Sequence, residues 1–371
     1  MNILWLTRKD TGHPDAGGAE VISDALRQQL HADGHQVTLL TCGYPGASRA
    51  ETSGGVHIIR VGSNRYLHPA FGLLYYLRHL RNKFDLIVEE VNVAPYLSVL
   101  SPGRSQRLLF YHHIEREVWL HEAKPPISYL CYYLLEPLVV RLLGRSSVPL
   151  ITVSESTRQE LSHYGFSLPN IRIISEGIDL TPVSSLAHIQ KYEQPTVLSL
   201  GGIRPMKRTL EQIQAFELAK LSVPDLRMKI AGSASGPYGR KVLAYAARSR
   251  HAADIEYLGH VPHEQKITLM QRSHLVTLTS IKEGWGLVVT EAASQGTPAV
   301  AYDVPGLRDS VLHNKTGLLT PANPAALATS IVALLQDAPP YERLRHAAWE
   351  RSKSITFANS YRDFKAAVGL D

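Results

Sequence analysis

The segment Thr196-Val197-Leu198-Ser199-Leu200-Gly201-Gly202 decides the fold, because a short apolar run that opens into glycines is typical of a buried strand in a parallel sheet. A helical pattern follows over Leu210 to Ala219, and two further apolar runs occupy Met228 to Ala231 and Ile255 to Leu258. This alternation of strands and helices predicts a doubly wound α/β domain.

The N-terminal half shows the same alternation, so the fold is predicted to occur twice. Gly17 and Gly18 separate a first apolar run, Ile3 to Leu6, from a helical pattern over Val21 to Ala32. The length of 371 residues also fits two domains better than one. Four more apolar runs are Val37 to Leu40, Leu86 to Val88, Leu108 to Tyr111 and Leu150 to Val153.

The boundary between the two domains is predicted from the stretch 179–195, which carries no strong pattern. We place an N-terminal Rossmann-like, acceptor-binding domain at residues 1–182 and a C-terminal Rossmann-like, nucleotide-sugar-binding domain at 183–355. The last helix, about 356–371, is expected to pack back on the first domain. Ligands of parallel sheets bind beyond the carboxyl ends of the strands, so the glycine turns are expected to point into a cleft between the domains.

Composition narrows the classes of partner and compartment. A formal charge of +6 with basic residues scattered along the chain favours a nucleotide diphosphate or an anionic membrane over nucleic acid. Two cysteines, Cys42 and Cys131, are too few for a disulfide framework or a thiolate metal site. The first residues form a strand pattern and not a signal peptide, so we expect a cytoplasmic protein, with peripheral contact to the inner face of the membrane left open.

The segment from Lys282 to Pro298 carries the most chemical information. Its Gly284 and Gly286 allow backbone amides to approach a ligand, and the helix that follows adds free N–H groups and a positive dipole end. Glu283 lies in the loop and Glu291 about one turn into the helix, with seven residues between them. This pattern predicts a phosphate site bracketed by two carboxylates, although a glycine turn that only caps a structural helix has the same letters.

The segment resembles the family 4 glycosyltransferases, retaining enzymes of the GT-B fold, whose hallmark is two glutamates at this spacing. Later landmarks agree with the family order: Gly296-Thr297-Pro298, Gly306 and Thr316-Gly317-Leu318-Leu319. The resemblance implies that Glu291 binds the ribose of a nucleotide-sugar donor and that Glu283 contacts its sugar. It also implies that the amides of the loop bind the diphosphate, at Gly284, Trp285, Gly286 and Leu287.

Upstream, Gly201 to Arg208 resembles the family's diphosphate clamp of one Arg and one Lys. Lys207 matches the Lys, whereas Gly202 stands where the Arg usually does, so Arg204 is expected to reach in from two residues on. Fixed cations would stabilise the charge that develops on the leaving phosphate. No Asp-x-Asp pair occurs, and neither a metal nor another cofactor is expected.

Further contacts are implied by the resemblance in both halves. Gly232 and Val261 match loops that wall the nucleotide site, and Gly17 and Gly18 match a loop that closes over the donor. A His after the fourth predicted strand of the first domain lies near the donor sugar in the family, and His113 is our choice for it. His112 is the alternative and, with Asn92, a candidate acceptor contact; helix capping by Asn92 explains that residue equally well.

The expected activity is therefore retaining transfer of a hexosyl unit from a nucleotide-diphosphate sugar to a hydroxyl, in polysaccharide, lipopolysaccharide or glycolipid assembly. Two alternatives remain open, a transferase that makes a small soluble glycoside and a catalytically weak nucleotide-binding scaffold on the same fold. The stretch 125–143 is apolar, aromatic and basic. It fits either a core helix, which we favour slightly, or a membrane-docking helix that meets a lipid-linked acceptor.

Overall fold

The structure is a computed structural model that describes residues 1–64, 67–91, 95–101 and 103–370. The chain divides into two compact units. The first comprises Met1–Arg116, Leu130–Gly177 and Phe357–Asp371, and the second comprises Glu117–Tyr129 and Ile178–Thr356. The segment Glu117–Tyr129 thus groups with the second unit, although it lies within the range 1–182 that the sequence pattern assigns to the first domain.

Over its described residues, the first unit contains an eight-stranded sheet in the order β3-β4-β2-β1-β5-β6-β7-β8. Neighbouring strands run parallel, apart from the antiparallel pair β3 and β4. The strands are β1 Asn2–Leu6, β2 Gln36–Thr41, β3 Ala50–Ser53, β4 Val56–Arg60, β5 Leu86–Val91, β6 Gln106–Tyr111, β7 Leu150–Thr152 and β8 Ile171–Ile173.

Helices cover both faces of this sheet. The last helix of the chain packs beside the first one, since the Tyr361 hydroxyl donates to Asp33 Oδ2 at 2.7 Å. Phe364 of the same helix stacks on Trp5 of β1 with 5.7 Å between ring centroids. The helices of this unit are α1 Gly18–Ala32, α2 His68–Tyr75, a π-helical turn Tyr76–Leu80, α5 Glu136–Gly144 after the π-helical turn Cys131–Leu135, α6 Glu155–Ser162 and α14 Phe357–Val368.

The second unit contains a six-stranded sheet in the order β11-β10-β9-β12-β13-β14, counted over its described residues, and all neighbours are parallel. The strands are β9 Thr196–Leu200, β10 Arg227–Ala231, β11 Ile255–Gly259, β12 Leu275–Leu278, β13 Ala299–Tyr302 and β14 Gly317–Thr320. The helices are α3 Val118–Glu122, α4 Ile127–Leu130, whose last residue belongs to the first unit, α7 Thr209–Ala219, α8 Gly236–Arg248, α9 His263–Arg272, α10 Leu287–Ser294, α11 Leu307–Ser310, α12 Pro324–Gln336 and α13 Ala338–Ser352.

The central strands are apolar on both faces because helices cover both faces. Ile3, Leu4, Trp5 and Leu6 of β1 are fully buried, and Val197 and Leu198 of β9 are nearly so. Short connections from the carboxyl ends of these strands into helices bring the predicted glycine turns to one edge of each sheet.

Candidate active site

An ion pair joins the two loops that carry the predicted donor contacts in the second unit. Lys207 lies in the short 3-10 turn Pro205–Lys207 after β9, and its Nζ contacts Glu283 Oε1. The Glu283 carboxylate also accepts a hydrogen bond from the Ser280 hydroxyl at 2.5 Å. The side chains of Lys207 and Glu283 keep 26% and 12% of their surface exposed. The pair is therefore partly accessible to solvent.

A second ion pair lies on the other side of the glycine loop. Gly286 has φ +90 and is the residue from which α10 begins, so a left-handed residue turns the loop into the helix. Glu291 lies in this helix and accepts a hydrogen bond from Lys266 Nζ of α9 at 2.7 Å. Two partly exposed carboxylate–ammonium pairs thus bracket the loop that ends at a helix N-terminus, the arrangement expected of a diphosphate site.

The loops after β9, β10 and β11 lie against one another at the same sheet edge. The Gly232 N–H donates to the Gly259 carbonyl at 2.7 Å. A Cβ on Gly232 would lie 1.9 Å from the Gly201 carbonyl oxygen, so only glycine permits this approach. Val261, two residues after Gly259, packs partly into the core and leaves the rest of its surface at this edge.

Arg204 is exposed on the same edge, next to the position where the family usually has its Arg. Its Nε lies 4.0 Å from the point where a Cβ of Gly202 would stand. The side chain of Arg204 therefore runs past Gly202 and occupies the space that a longer residue there would take. By contrast, Arg208 pairs with Glu211 at 3.7 Å and belongs to the start of α7.

Two glutamates from the segment Glu117–Tyr129 contact the loops of the second unit. Glu122 Oε1 accepts the backbone N–H of Met206 at 3.1 Å, directly beside Lys207. Glu117 Oε2 lies 3.9 Å from Nζ of the buried Lys282, directly beside Glu283. The sequence pattern did not predict these contacts, because they join residues more than 80 positions apart.

In the first unit, Gly17 and Gly18 lie at the start of α1. The Gly17 N–H donates to Glu20 Oε2 at 2.7 Å, and Lys9 Nζ lies 3.0 Å from Glu20 Oε1. The turn between β1 and α1 is therefore closed by a carboxylate that is itself buried and paired.

A buried charged chain occupies the carboxyl ends of β5 and β6. His112 Nε2 lies 3.1 Å from Glu90 Oε1, and its Nδ1 lies 3.0 Å from Glu176 Oε1. The Trp5 indole N–H donates to Glu90 Oε2 at 2.9 Å. Burial alone would lower the pKa of His112, but hydrogen bonds to Glu176 and Glu90 raise that pKa to about 10. The two carboxylates favour the protonated ring, in which each nitrogen carries an N–H directed at one of them.

The remaining candidates of the first unit differ in accessibility. His113 keeps 21% of its side chain exposed and lies 3.6 Å from Glu115 Oε1. His112 has both ring nitrogens engaged and is buried, so its ring is not placed to reach an acceptor. Asn92 lies outside the described residues.

The structure brings together the residues predicted for the second unit, namely Lys207, Arg204, Glu283, the glycine loop, Gly232 and Val261 at one sheet edge. Sequence reasoning missed Lys266 and Ser280 as partners of the two glutamates. A signal existed for Lys266, since it stands in the helix that follows the predicted loop at Leu258 to Val261.

Several solved structures superimpose on nearly the whole chain. Sucrose-phosphate synthase from Thermosynechococcus elongatus superimposes with a TM-score of 0.78 at 20% identity, covering 100% of this chain and 98% of that one. HepE from Anabaena in complex with UDP-glucose gives 0.76 at 17% identity, with 100% of both chains covered. The two parallel-sheet α/β units therefore have the GT-B fold, as predicted.

Two family profiles match the chain. Glycosyltransferase Family 4 matches residues 16–182 and Glycosyl transferases group 1 matches residues 187–351. The two matches together take in most of the chain, and the chain belongs to the group 1, family 4 glycosyltransferases.

Characterised relatives share part of the sequence. Glycogen synthase from Mycobacterium tuberculosis is 29% identical over 214 residues, which are 57% of this chain and 51% of that protein. D-inositol 3-phosphate glycosyltransferase from Jonesia denitrificans is 27% identical over 249 residues, 61% of this chain and 59% of that protein. The matches thus span little more than half the length of these relatives.

Proposed function

We propose that this chain moves a hexosyl unit from a nucleotide-diphosphate sugar to a hydroxyl acceptor, with retention of anomeric configuration and without a metal ion. The observation that carries the proposal is the pair of ion pairs, Lys207 with Glu283 and Lys266 with Glu291, on either side of a glycine loop that enters a helix. Family membership supports the same activity.

Donor roles follow from position and charge. The amides from Gly284 to Leu287 and the cations of Lys207 and Arg204 hold the diphosphate. Glu291 accepts hydrogen bonds from the ribose, and Glu283 does so from the donor sugar. Backbone at Gly232 and Val261 walls the nucleotide. In the first unit, Gly17 and Gly18 contact the donor and His113 lies near its sugar; these three roles rest on the family resemblance.

Lys207 is already paired with Glu283. The diphosphate is therefore expected to share the Lys207 ammonium with Glu283 and not to find an unpaired cation. Glu283 is held at the same time by Ser280, so its carboxylate stays in place when Lys207 turns towards phosphate. The pair therefore keeps both groups oriented before the donor arrives, which lowers the cost of reorganisation in the transition state.

A front-side mechanism accounts for retention. The bond between the anomeric carbon and the diphosphate oxygen breaks, and the acceptor oxygen forms its bond on the same face. The acceptor proton passes to the departing phosphate oxygen, so no protein nucleophile is needed. Lys207 and Arg204 stabilise the negative charge on that phosphate, and the protein acts through positioning and electrostatics.

Metal independence is proposed because protein cations fill the role that a divalent ion has in other transferases. Within the described ranges, no group of three or more His, Cys, Asp and Glu side chains is arranged to hold a metal ion. Activity that survives EDTA at millimolar concentration would support this point, and activity that returns only with added Mg²⁺ or Mn²⁺ would contradict it.

The acceptor is proposed to belong to polysaccharide, lipopolysaccharide or glycolipid assembly. One similar structure, WaaG, is described as involved in lipopolysaccharide biosynthesis, with a TM-score of 0.76 and 16% identity over 99% of this chain and 100% of that one. Transfer to a small polyol phosphate but not to a lipid-linked sugar would favour the soluble-glycoside alternative.

A membrane-facing surface supports a lipid-linked acceptor. Among the described residues, the helix Ile127–Gly144 is long and apolar enough to cross a bilayer, by length and composition only, and 28% of its residues are buried. Its inner side does belong to the core, since Val140 and Leu143 are buried. The interpretation as a core helix describes only that side. Four leucines at a spacing of four residues are exposed, Leu130, Leu134, Leu138 and Leu142.

A second helix on the same sheet face shares this property. Tyr76 belongs to the same buried cluster as Leu6, and Val140 belongs to the same cluster as Leu109. The strand register through Glu89 places Leu6 and Leu109 on one face of the sheet. Exposed apolar side chains on both helices thus look outward from the same side of the sheet. They are Phe71 and Leu74 on α2 together with the four leucines.

Basic side chains flank both helices, whereas their one acidic residue is turned inward. Arg78 and Arg81 are exposed after α2, and Arg141 and Arg145 are exposed near the end of α5. Glu136 instead accepts the backbone N–H groups of Glu115 and Arg116, each at 2.8 Å. We therefore propose peripheral binding of this face to an anionic bilayer, with the apolar residues at the level of the headgroups.

Co-sedimentation with vesicles that contain anionic lipid tests the membrane proposal. The double variant Leu134→Ser/Leu138→Ser is expected to lose binding, while Leu218→Ser/Leu221→Ser, which changes two exposed leucines of the second unit, keeps it. Equal binding by both variants would contradict the proposal.

Transfer itself is tested with the nucleotide sugars of UDP, GDP and ADP. One of the three is expected to support hydrolysis or transfer, and proton NMR should give the product the anomeric configuration of the donor. An inverted product would rule out the front-side mechanism. If the folded protein neither hydrolyses nor transfers any of the nucleotide sugars, the scaffold alternative is favoured.

A further inference from the structure

The indole of Trp285 contacts side chains of two helices, α10 and α13. Its Nε1–H donates to Thr290 Oγ1 in α10 at 2.9 Å. The guanidinium carbon of Arg351 lies 5.4 Å from the centre of the same ring. The backbone of Trp285 is therefore part of the glycine loop, and its side chain packs against helices α10 and α13.

Arg351 lies in the last turn of α13 and also contacts a second loop. Its Nη2 donates to the Asp309 carbonyl at 2.8 Å, and its Nη1 donates to the Ser310 carbonyl. These carbonyls are at the end of the short helix α11, where a cation is favourable. One guanidinium thus holds the end of α11 and the ring of Trp285.

The loop before α11 lies directly on the glycine loop. The Glu283 N–H donates to the Pro305 carbonyl at 3.1 Å. Gly306 has φ +82, and a Cβ there would lie 2.2 Å from the Glu283 carbonyl oxygen. Any shift of the second loop therefore moves the backbone of Glu283.

We propose that Arg351 and Trp285 form a clamp that positions the glycine loop for the diphosphate. The side chains of both act by positioning, since they contact protein groups and not the donor, whereas the backbone amide of Trp285 remains part of the glycine loop. The inference rests on the proposed function in one respect, the assignment of the diphosphate to the amides from Gly284 to Leu287. Supporting residues of this kind keep a binding site within the narrow geometry that tight binding needs.

The clamp requires an arginine. Its planar guanidinium donates to two carbonyls and lies over an indole at the same time, whereas a lysine ammonium is a compact point charge. Arg351→Lys should therefore restore little of what Arg351→Met loses. Lys353 provides a matched control, because its Nζ lies 3.4 Å from the Trp349 ring centre at the same helix end and Trp349 is outside the glycine loop.

Two measurements test the clamp separately from the activity. Hydrogen exchange of the amides at 283–287 and 304–310 should quicken about tenfold in Arg351→Met and remain unchanged in Lys353→Met. Affinity for the nucleoside diphosphate that the wild type binds, measured by calorimetry, should fall about tenfold, the scale on which supporting residues alter affinity. Trp285→Phe keeps an aromatic ring but loses the indole N–H, so its loss of nucleotide affinity should be smaller.

Unchanged exchange at 283–287 in Arg351→Met, with native circular dichroism, would overturn the clamp whatever the nucleotide result. If the wild type binds none of UDP, GDP and ADP, the proposed function fails, and exchange still decides the clamp. Faster exchange with unaltered affinity would also overturn it, because the loop would then be loosened without consequence for the ligand.

Discussion

Charged side chains occupy the carboxyl ends of both sheets, but their surroundings differ. In the second unit, Lys207 and Glu283 keep 26% and 12% of their side chains exposed. In the first unit, His112 and Glu90 keep 3% and 1%. Charges that water can reach can exchange partners with a ligand, whereas removing one member of a buried, hydrogen-bonded set leaves an uncompensated buried charge. We therefore propose that the accessible pair binds the ligand and that the buried set stabilises the first unit.

The largest effect is expected when the buried set of His112, Glu90 and Glu176 is broken. His112→Ala leaves Glu90 and Glu176 buried without their shared cation, which should reduce the free energy of unfolding by about 3–5 kcal/mol. Urea denaturation of the full chain measures this change. His113→Ala, which removes a partly exposed ring next to it, should alter stability by less than about 1 kcal/mol. Equal losses for both variants would contradict the assignment.

The second-largest effect is expected when the solvent-accessible cation of Lys207 is removed. Lys207→Met should lower the rate of transfer by about 10²–10³ with stability unchanged, because charge on the leaving phosphate loses a fixed partner. Lys229→Met, which breaks the pair with Glu256 on the surface of the same unit, should retain full activity. A drop below tenfold for Lys207→Met would remove this residue from the mechanism.

A smaller effect is expected at the second solvent-accessible ion pair, Lys266 with Glu291. Glu291→Gln should weaken nucleotide binding about tenfold, the worth of a hydrogen bond to a charged group. Glu264→Gln changes an exposed glutamate of α9 and serves as the control. Calorimetry measures both, and equal affinities for the two variants would show that Glu291 does not hold the ribose.

A pH dependence of the buried set is also expected. The pKa of His112 rises from 6.5 to about 10 on folding, so its contribution is complete below about pH 6.5 and is lost as pH rises towards 10. Burial alone would raise the pKa of Glu90, but His112 lowers it below 4.5, so its contribution is lost in acid. The stability difference between wild type and His112→Ala should therefore be largest between pH 5 and 6.5 and shrink by pH 9.5. A difference that grows with pH would contradict this.

Much of the fold was predictable, because buried parallel strands are short apolar runs and helices have their own period. The predicted helix Leu210 to Ala219 is found at Thr209–Ala219. Strand β3 was missed because all four of its residues are exposed and carry no pattern. Strand β12 was missed although it is apolar, since no glycine turn marks its end.

The sequence indicated candidate site residues but not the pairs that they form. Local pattern and family order indicated Glu283, Glu291 and Lys207. They gave no sign that Lys266 meets Glu291 or that both ring nitrogens of His112 are bound by carboxylates. Such contacts join distant parts of the chain, and burial, which distinguishes a structural histidine from a reactive one, depends on the packing of the whole unit.

The central claim is that the two solvent-accessible ion pairs of the second unit, Lys207 with Glu283 and Lys266 with Glu291, bind the donor. Calorimetric titration with UDP, GDP and ADP in the presence of EDTA tests it most directly. One of the three nucleotides is expected to bind the wild type with micromolar affinity and to bind Lys207→Met at least tenfold more weakly. Absence of binding for all three by a folded protein, or undiminished binding by Lys207→Met, would contradict it.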